Sequence, residues 1–151
     1  MGGRGASSGY VAAMIRENAL IWARSQIGSS DYAYYAKLGN WKQNSYKCNA
    51  FVIRAFNQNI IPSVIENHSN PWTLGITKIP YRAKDFYEGN VPGFVRVYNP
   101  MPGDIVSNGR HVGIVSGKNK TISASAKTNT VIENDWGFGS KKYRYYRYTG
   151  K

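Results

Sequence analysis

Cys48 is the single cysteine of the chain, and it stands in Asn44-Ser45-Tyr46-Lys47-Cys48-Asn49-Ala50-Phe51-Val52, where an irregular polar stretch turns into a predicted helix. A lone thiol cannot be half of an internal disulfide, which leaves inert burial or chemistry. Chemistry needs a thiolate. An ordinary thiol titrates near about 8.5 and is mostly protonated at neutral pH, whereas unpaired N–H groups at a helix start stabilise the anion. The first-turn position of Cys48 therefore predicts a lowered thiol pKa. The same N–H groups would stabilise the oxyanion formed when sulfur attacks a carbonyl.

A nucleophilic thiol also needs a base, and the chain has two histidines. His68 lies in Glu66-Asn67-His68-Ser69-Asn70-Pro71, a turn-forming stretch in which an imidazole points to solvent by default. His111 opens the predicted strand His111-Val112-Gly113-Ile114-Val115 directly after the Asn108-Gly109 turn. A strand end holds a side chain more firmly than a loop does, which suits a general base. His111 is therefore the expected partner of Cys48. Trp41, Tyr34, Tyr35 and Tyr46 fall in the polar, aromatic stretch before Cys48, where they either line a cleft or cap the core; Tyr46, Trp41 and Tyr35 are the candidate substrate-binding residues.

The elements that must position these groups follow from periodicity. Residues 1–9 are glycine-rich and are expected to form a flexible arm, with residues 10–151 a single domain. Apolar residues recur at helical spacing from about Val11 to Ile27, through Ile15, Ala19, Trp22, Ala23 and Ile27, and Gly28 is placed to end that helix. A second helix is expected from about Cys48 to Asn57, with Phe51, Val52, Ala55 and Phe56 as its buried stripe. Residues 58–92 carry Pro62, Pro71 and Pro80 and read as an irregular insertion with a short helix near Arg82 to Tyr87. Beyond Pro92 the pattern changes to short β runs at Phe94–Tyr98, Asp104–Ser107, His111–Val115, Thr121–Ser125, Thr130–Asn134 and Tyr143–Tyr148. Helices first and an antiparallel sheet second is an α+β order.

The bulk numbers bound what this domain does. Its 151 residues are 42% hydrophobic, 14% aromatic and 19% charged, a globular composition that needs no bridge or metal for stability. Twenty Lys+Arg against eight Asp+Glu give a formal charge of +12, a positive field that attracts polyanions such as nucleic acid, an anionic membrane or an anionic cell wall. No apolar run approaches the ~20 residues of a membrane span, so membrane insertion is not expected. The N-terminal residues lack the apolar core of a signal peptide, and Ala6 breaks the myristoylation pattern. Export to a target-cell periplasm, or secretion, would have to proceed without a leader recognisable in this chain.

Three motifs in order carry a resemblance: Cys48-Asn49-Ala50-Phe51-Val52 at a helix start, Pro102-Gly103-Asp104-Ile105-Val106, and His111-Val112-Gly113-Ile114-Val115. The arrangement resembles the NlpC-type and CHAP-type peptidoglycan hydrolases, small papain-like enzymes that cleave wall peptides with a Cys–His pair. Trp22-Ala23-Arg24-Ser25-Gln26-Ile27-Gly28, Lys47-Cys48-Asn49 and Asn134-Asp135-Trp136-Gly137-Phe138 are similar to the second family of type VI secretion amidase effectors and their domesticated relatives. The resemblance spans roughly residues 18–148. It implies a papain-like fold, with N-terminal helices packed on a central antiparallel sheet, and a monomeric cysteine amidase without cofactor or metal. It also implies peptidoglycan as substrate, cut in cross-linked stem peptides between diaminopimelate and D-alanine, and a neutralising immunity protein in a producing cell.

The chain departs from the wider NlpC pattern in two places. Lys47-Cys48-Asn49 stands where Asp-Cys-Ser is usual, and the third catalytic position, about a dozen residues past the histidine, is Ser123. The CHAP pattern carries an acid and an amide just before a tryptophan, matching Glu133 and Asp135 ahead of Trp136. A carboxylate fixes an imidazole tautomer and stabilises the imidazolium better than a hydroxyl does. Asp135 or Glu133 is therefore favoured over Ser123 as the orienting residue. Asp104 is expected to organise a turn.

Basic and aromatic residues interleave in Lys141-Lys142-Tyr143-Arg144-Tyr145-Tyr146-Arg147-Tyr148. Such a stripe can contact phosphates and stack bases, so a non-catalytic nucleic-acid-binding module is the rival reading. As an alternating strand it is equally a half-buried β element, and no nucleic-acid partner is expected. A second rival is another papain-like peptidase or an acyltransferase.

Overall fold

The structure, a computed structural model, describes residues 3–30, 47–57 and 81–150. Helix α1 runs over Gly3–Ser25, α2 over Lys47–Phe56 and α3 over Ala83–Tyr87. Six strands follow: β1 Phe94–Val97, β2 Ile105–Ser107, β3 Val112–Gly117, β4 Lys120–Ser125, β5 Thr130–Asn134 and β6 Arg144–Tyr148. They form one antiparallel sheet in the order β1-β6-β2-β3-β4-β5. The α+β class expected from the sequence is thus present, with helices packed on an antiparallel sheet.

The α1 helix buries Ala12, Ala19, Leu20 and Ala23, a stripe at helical spacing. Trp22 from the same helix packs on Phe51 of α2, with ring centroids 5.4 Å apart. Gly28, at φ +90°, ends the helical region as its position suggests. Its N–H then donates to Val131 O at 2.8 Å, and Val131 N–H returns a bond to Ser29 O at 2.9 Å. The end of α1 is thereby stitched to edge strand β5.

Two details differ from the pattern-based expectation. The α1 helix begins at Gly3, so residues 3–9 continue the helix where a flexible arm was expected. Extending a helix already anchored by packing costs only residue propensity, about 1 kcal/mol for each glycine, because nucleation is complete. Ile27, expected in the buried stripe, is exposed, because the helix has already given way to a turn.

The α2 helix is buried on nearly every side. Cys48, Asn49, Ala50, Phe51, Val52, Ile53, Ala55 and Phe56 are all buried, and among the described side chains of the helix only Arg54 reaches partly outward. A helix apolar around most of its circumference belongs in a core. It packs on the face of the sheet formed by Val112, Ile114, Ile122, Val131, Ile105 and Tyr146. Period-two alternation sends Val106, Val115, Thr121 and Ser123 to the other face, where they are buried as well. The segment after β5 covers that second face: a Cβ on Gly137 would lie 3.0 Å from Val106 Cγ2, and Tyr145 Oη donates to Gly137 O at 2.6 Å.

Strand β6 lies between β1 and β2, inside the sheet. Arg147 donates to both carboxylate oxygens of Asp104, through Nε at 2.9 Å and an NH2 group at 2.8 Å. Asp104 is fully buried and also accepts from Met101 N–H at 2.7 Å. It organises the turn, as expected, and pins β6 to it. Arg144 lies over the Tyr87 ring and donates to Tyr87 O, which also accepts from Tyr146 Oη at 2.7 Å. The basic aromatic strand is an internal element. No helix among the described residues is long and apolar enough to cross a membrane.

Candidate active site

Helix α2 brings Cys48 to the sheet. The thiol lies against the backbone N–H groups of Val112, Asn49 and Cys48 itself, so sulfur sits beside the residue that follows His111. The next side chain, Asn49, donates to Tyr81 O at 2.7 Å and has a buried Oδ1 without a hydrogen-bond partner. That bond ties the start of α2 to the strap that leads into α3.

His111 is fixed by the turn before it. Asn108 Oδ1 accepts from the N–H groups of Arg110 at 2.9 Å and His111 at 2.8 Å, the side-chain mimic of a backbone turn for which asparagine is suited. Gly109, at φ +91°, supplies the left-handed residue that this tight turn requires. Its N–H donates to Ser107 Oγ, and Ser107 Oγ–H donates to Ala83 O at 2.7 Å. The turn is thereby tied to α3.

The imidazole is held from two sides. Its Nε2 lies 2.9 Å from Ser123 Oγ, and the Trp136 ring meets it edge-to-face with centroids 4.5 Å apart. Trp136 in turn packs on Tyr143 at 5.3 Å. The residue beside the imidazole is therefore Ser123 and not either favoured carboxylate. Register explains why. Ile122 pairs with Glu133 and Ser123 with Ile132, so Glu133 shares the helix-facing side with Ile122, opposite the side on which Ser123 meets His111. Glu133 instead accepts from Ser116 Oγ at 2.6 Å. Asp135 lies beyond the end of β5 and is exposed.

Gly113 is what allows this approach. A Cβ there would come 2.6 Å from Thr121 Cγ2 and 3.0 Å from both Ile122 O and Ser123 Cβ. Glycine alone lets β3, which follows His111, lie this close to the β4 segment that carries Ser123.

Burial dominates the electrostatics. It pushes the Cys48 thiol up to about 11, against the lowering influence of the three backbone N–H groups. It also pushes the His111 imidazole down to about 4. Both groups are thus neutral at pH 7, and the lowered thiol pKa expected from the helix start does not hold in this geometry. The reason is that removing a thiolate from water costs more than the partial charges of one helix end return. Among the described residues no hydrogen bond joins the thiol to the imidazole. Such contacts are often loose before substrate binds and tighten in the complex.

Tyr46, Trp41 and Tyr35, the candidate substrate-binding residues, and His68 lie outside the described residues. The contact of Trp136 with His111 was not anticipated, although the tryptophan stood in a singled-out motif; a ring two residues past the end of an edge strand carries no sign of which neighbour it covers. Among the described residues no group of three or more His, Cys, Asp or Glu side chains is placed to hold a metal ion. No protein-family model, curated protein or solved structure matches the chain.

Proposed function

We propose that the protein is a papain-like cysteine amidase that hydrolyses an amide bond in cross-linked peptidoglycan stem peptides, between diaminopimelate and D-alanine, as an antibacterial effector. The observation that carries this reading is that the thiol at the start of α2 meets the N–H of Val112, the residue after His111, whose imidazole is anchored by Ser123 on the sheet face away from α2. A nucleophile and a base then lie on neighbouring stretches of backbone, and catalysis requires the imidazole to turn toward the sulfur. The substrate class comes from the sequence resemblance.

The chemistry begins with both groups neutral. For Nδ1 of His111 to accept a proton, Nε2 must carry hydrogen and donate it to Ser123 Oγ. As Cys48 attacks the scissile carbonyl, its proton passes to Nδ1 and a tetrahedral oxyanion forms. N–H groups at the start of α2 stabilise that charge. The imidazolium returns the proton to the leaving amine, which leaves a thioester on Cys48. His111 then deprotonates water, which attacks the thioester and releases a carboxylate and the thiol. The net charge of +12 holds the enzyme near an anionic wall, more weakly as salt rises.

The nucleic-acid rival draws least support. Its aromatic and cationic side chains are engaged within the protein: Arg147 with Asp104, Arg144 with Tyr87, and Tyr145 stacked on Phe138. Incubating purified sacculi with wild type and Cys48→Ala, then resolving the soluble fragments by mass, tests the proposal. New monomeric stem peptides from wild type alone support it. Sacculi left intact by both proteins overturn it.

A further inference from the structure

An open pocket of about 430 Å³ lies beside the candidate active site, lined by Arg82, Ala83, Lys84, Gly109 and Arg110. We propose that this pocket is a carboxylate-binding subsite, which receives an acidic branch of the peptide next to the scissile amide. The inference rests on the reading of Cys48 and His111 as a peptide-hydrolysing pair.

The pocket is joined to both members of that pair through short backbone links. Arg110 immediately precedes His111, and the two N–H groups share Asn108 Oδ1. On the other wall, Arg82 follows Tyr81, whose carbonyl accepts from the side chain of Asn49, the neighbour of Cys48. A ligand group in the pocket thus lies a residue or two from the bond that would be cut, and consecutive Cα atoms are about 3.8 Å apart. Its volume falls within the range of small-molecule sites, about 300–1,000 Å³.

Its charge is one-sided. Arg82, Lys84 and Arg110 contribute three cations, and among the described residues no carboxylate lines the pocket. The nearest acid along the chain, Asp85, has Oδ2 occupied by the N–H of Arg82 at 2.8 Å. Lys84 and Arg110 are exposed and both line the pocket. Planar guanidinium groups match a carboxylate in two-point geometry. A cross-linked stem peptide carries free carboxylates close to the amide in question, whereas an apolar side chain would gain little here.

The test uses the full chain carrying Cys48→Ala, so that binding is read without turnover. Calorimetric titration compares a diaminopimelate-containing tetrapeptide whose free carboxylates are intact with the same peptide fully amidated. The free acid is expected to bind about tenfold more tightly, the scale of a charge-assisted contact in a partly dry site. Adding Lys84→Gln and Arg110→Gln, with an unchanged melting temperature as the check on folding, is expected to erase the difference. Equal affinity for acid and amide, or a preference that survives both substitutions, overturns the subsite. So does competition by inorganic phosphate or a short RNA at concentrations where the peptide acid has no effect, since that assigns the pocket to phosphate. Selective binding of the acid by a protein whose wild type leaves sacculi intact would retain the subsite and overturn hydrolysis alone.

Discussion

His111 Nε2, at the residue just before β3, and Ser123 Oγ of β4 lie 2.9 Å apart, and in the proposed mechanism this contact leaves Nδ1 for the thiol. A hydroxyl in that place orients the ring without adding charge. Burial leaves the imidazole poorly basic, at about 4, and the uncharged hydroxyl does not offset it. Ser123→Ala is expected to lower kcat/KM about tenfold, since a neutral hydrogen bond is worth about 1 kcal/mol and the ring also gains freedom. Ser123→Asp is expected to raise the acid limb of the pH–rate profile by one pH unit or more, because a nearby negative charge favours the imidazolium. Steady-state rates from pH 3 to 8 check both, and an unmoved limb in Ser123→Asp counts against the contact.

The same burial makes the fold sensitive to acid. His111 titrates at about 4 when folded and near about 6.5 when unfolded. Between those values the unfolded chain binds more protons, so stability is full above about 6.5 and is lost as pH falls toward 4, by up to about 3 kcal/mol. Urea midpoints measured across this window should fall in wild type and change less in His111→Gln. Trp136→Ala, which opens the imidazole to water, should raise the His111 pKa toward its ordinary value, as read by the ring proton shifts.

Cys48 is expected to be a slow thiol in the free protein. With burial holding it near about 11, alkylation at pH 7 should run about a hundredfold or more slower than that of an exposed thiol, and should rise with pH past 9. Timed iodoacetamide labelling followed by mass measurement reads this. Fast labelling well below pH 8, as the helix-start argument alone predicts, would show that the site opens readily in solution.

Gly113→Ala should damage activity more than stability. The added methyl meets Thr121, Ile122 and the Ser123 Cβ at 2.6 to 3.0 Å, so β4 must move away from β3. Overpacking of this kind costs about 1–3 kcal/mol, and it displaces Ser123 from the imidazole. A lowered kcat at temperatures where the variant stays folded is the expected signature, with His111 pH behaviour shifted as in Ser123→Ala.

Arg147→Met tests the scaffold without touching the site. It strands the fully buried Asp104 carboxylate, and an uncompensated buried charge costs about 3–5 kcal/mol. Denaturant unfolding should show that loss. Asp104→Asn combined with Arg147→Met should recover part of it.

Much of this architecture is legible in the sequence because its signals are local. The strand runs from Phe94 to Tyr148, the Asn108-Gly109 turn, the helix starting at Cys48 and the short helix near Tyr87 all follow from period, turn chemistry and burial patterns. Cys48 and His111 stand out in the sequence as a lone thiol and a histidine at a strand start, and the structure sets the thiol beside the backbone of Val112. The neighbours of the imidazole are not legible in the sequence. Whether Ser123 or Glu133 faces His111 depends on cross-strand register, and a shift of one residue exchanges the two faces. Carboxylate chemistry argued for Glu133 and Asp135, but Ile122 takes the position opposite Glu133. The direction of the Cys48 shift is equally hidden, because a helix start is visible in sequence whereas burial of that start on all sides is not.

The most direct test of Cys48 as the nucleophile is an acid-quenched, intact-mass measurement in the first turnovers on a purified cross-linked muropeptide dimer. Wild type is expected to gain the mass of the acyl half of the substrate on Cys48 while the amine half is released, and Cys48→Ala to show neither. Release of the amine half by Cys48→Ala at the wild-type rate, or a dimer that wild type leaves uncut, would contradict it.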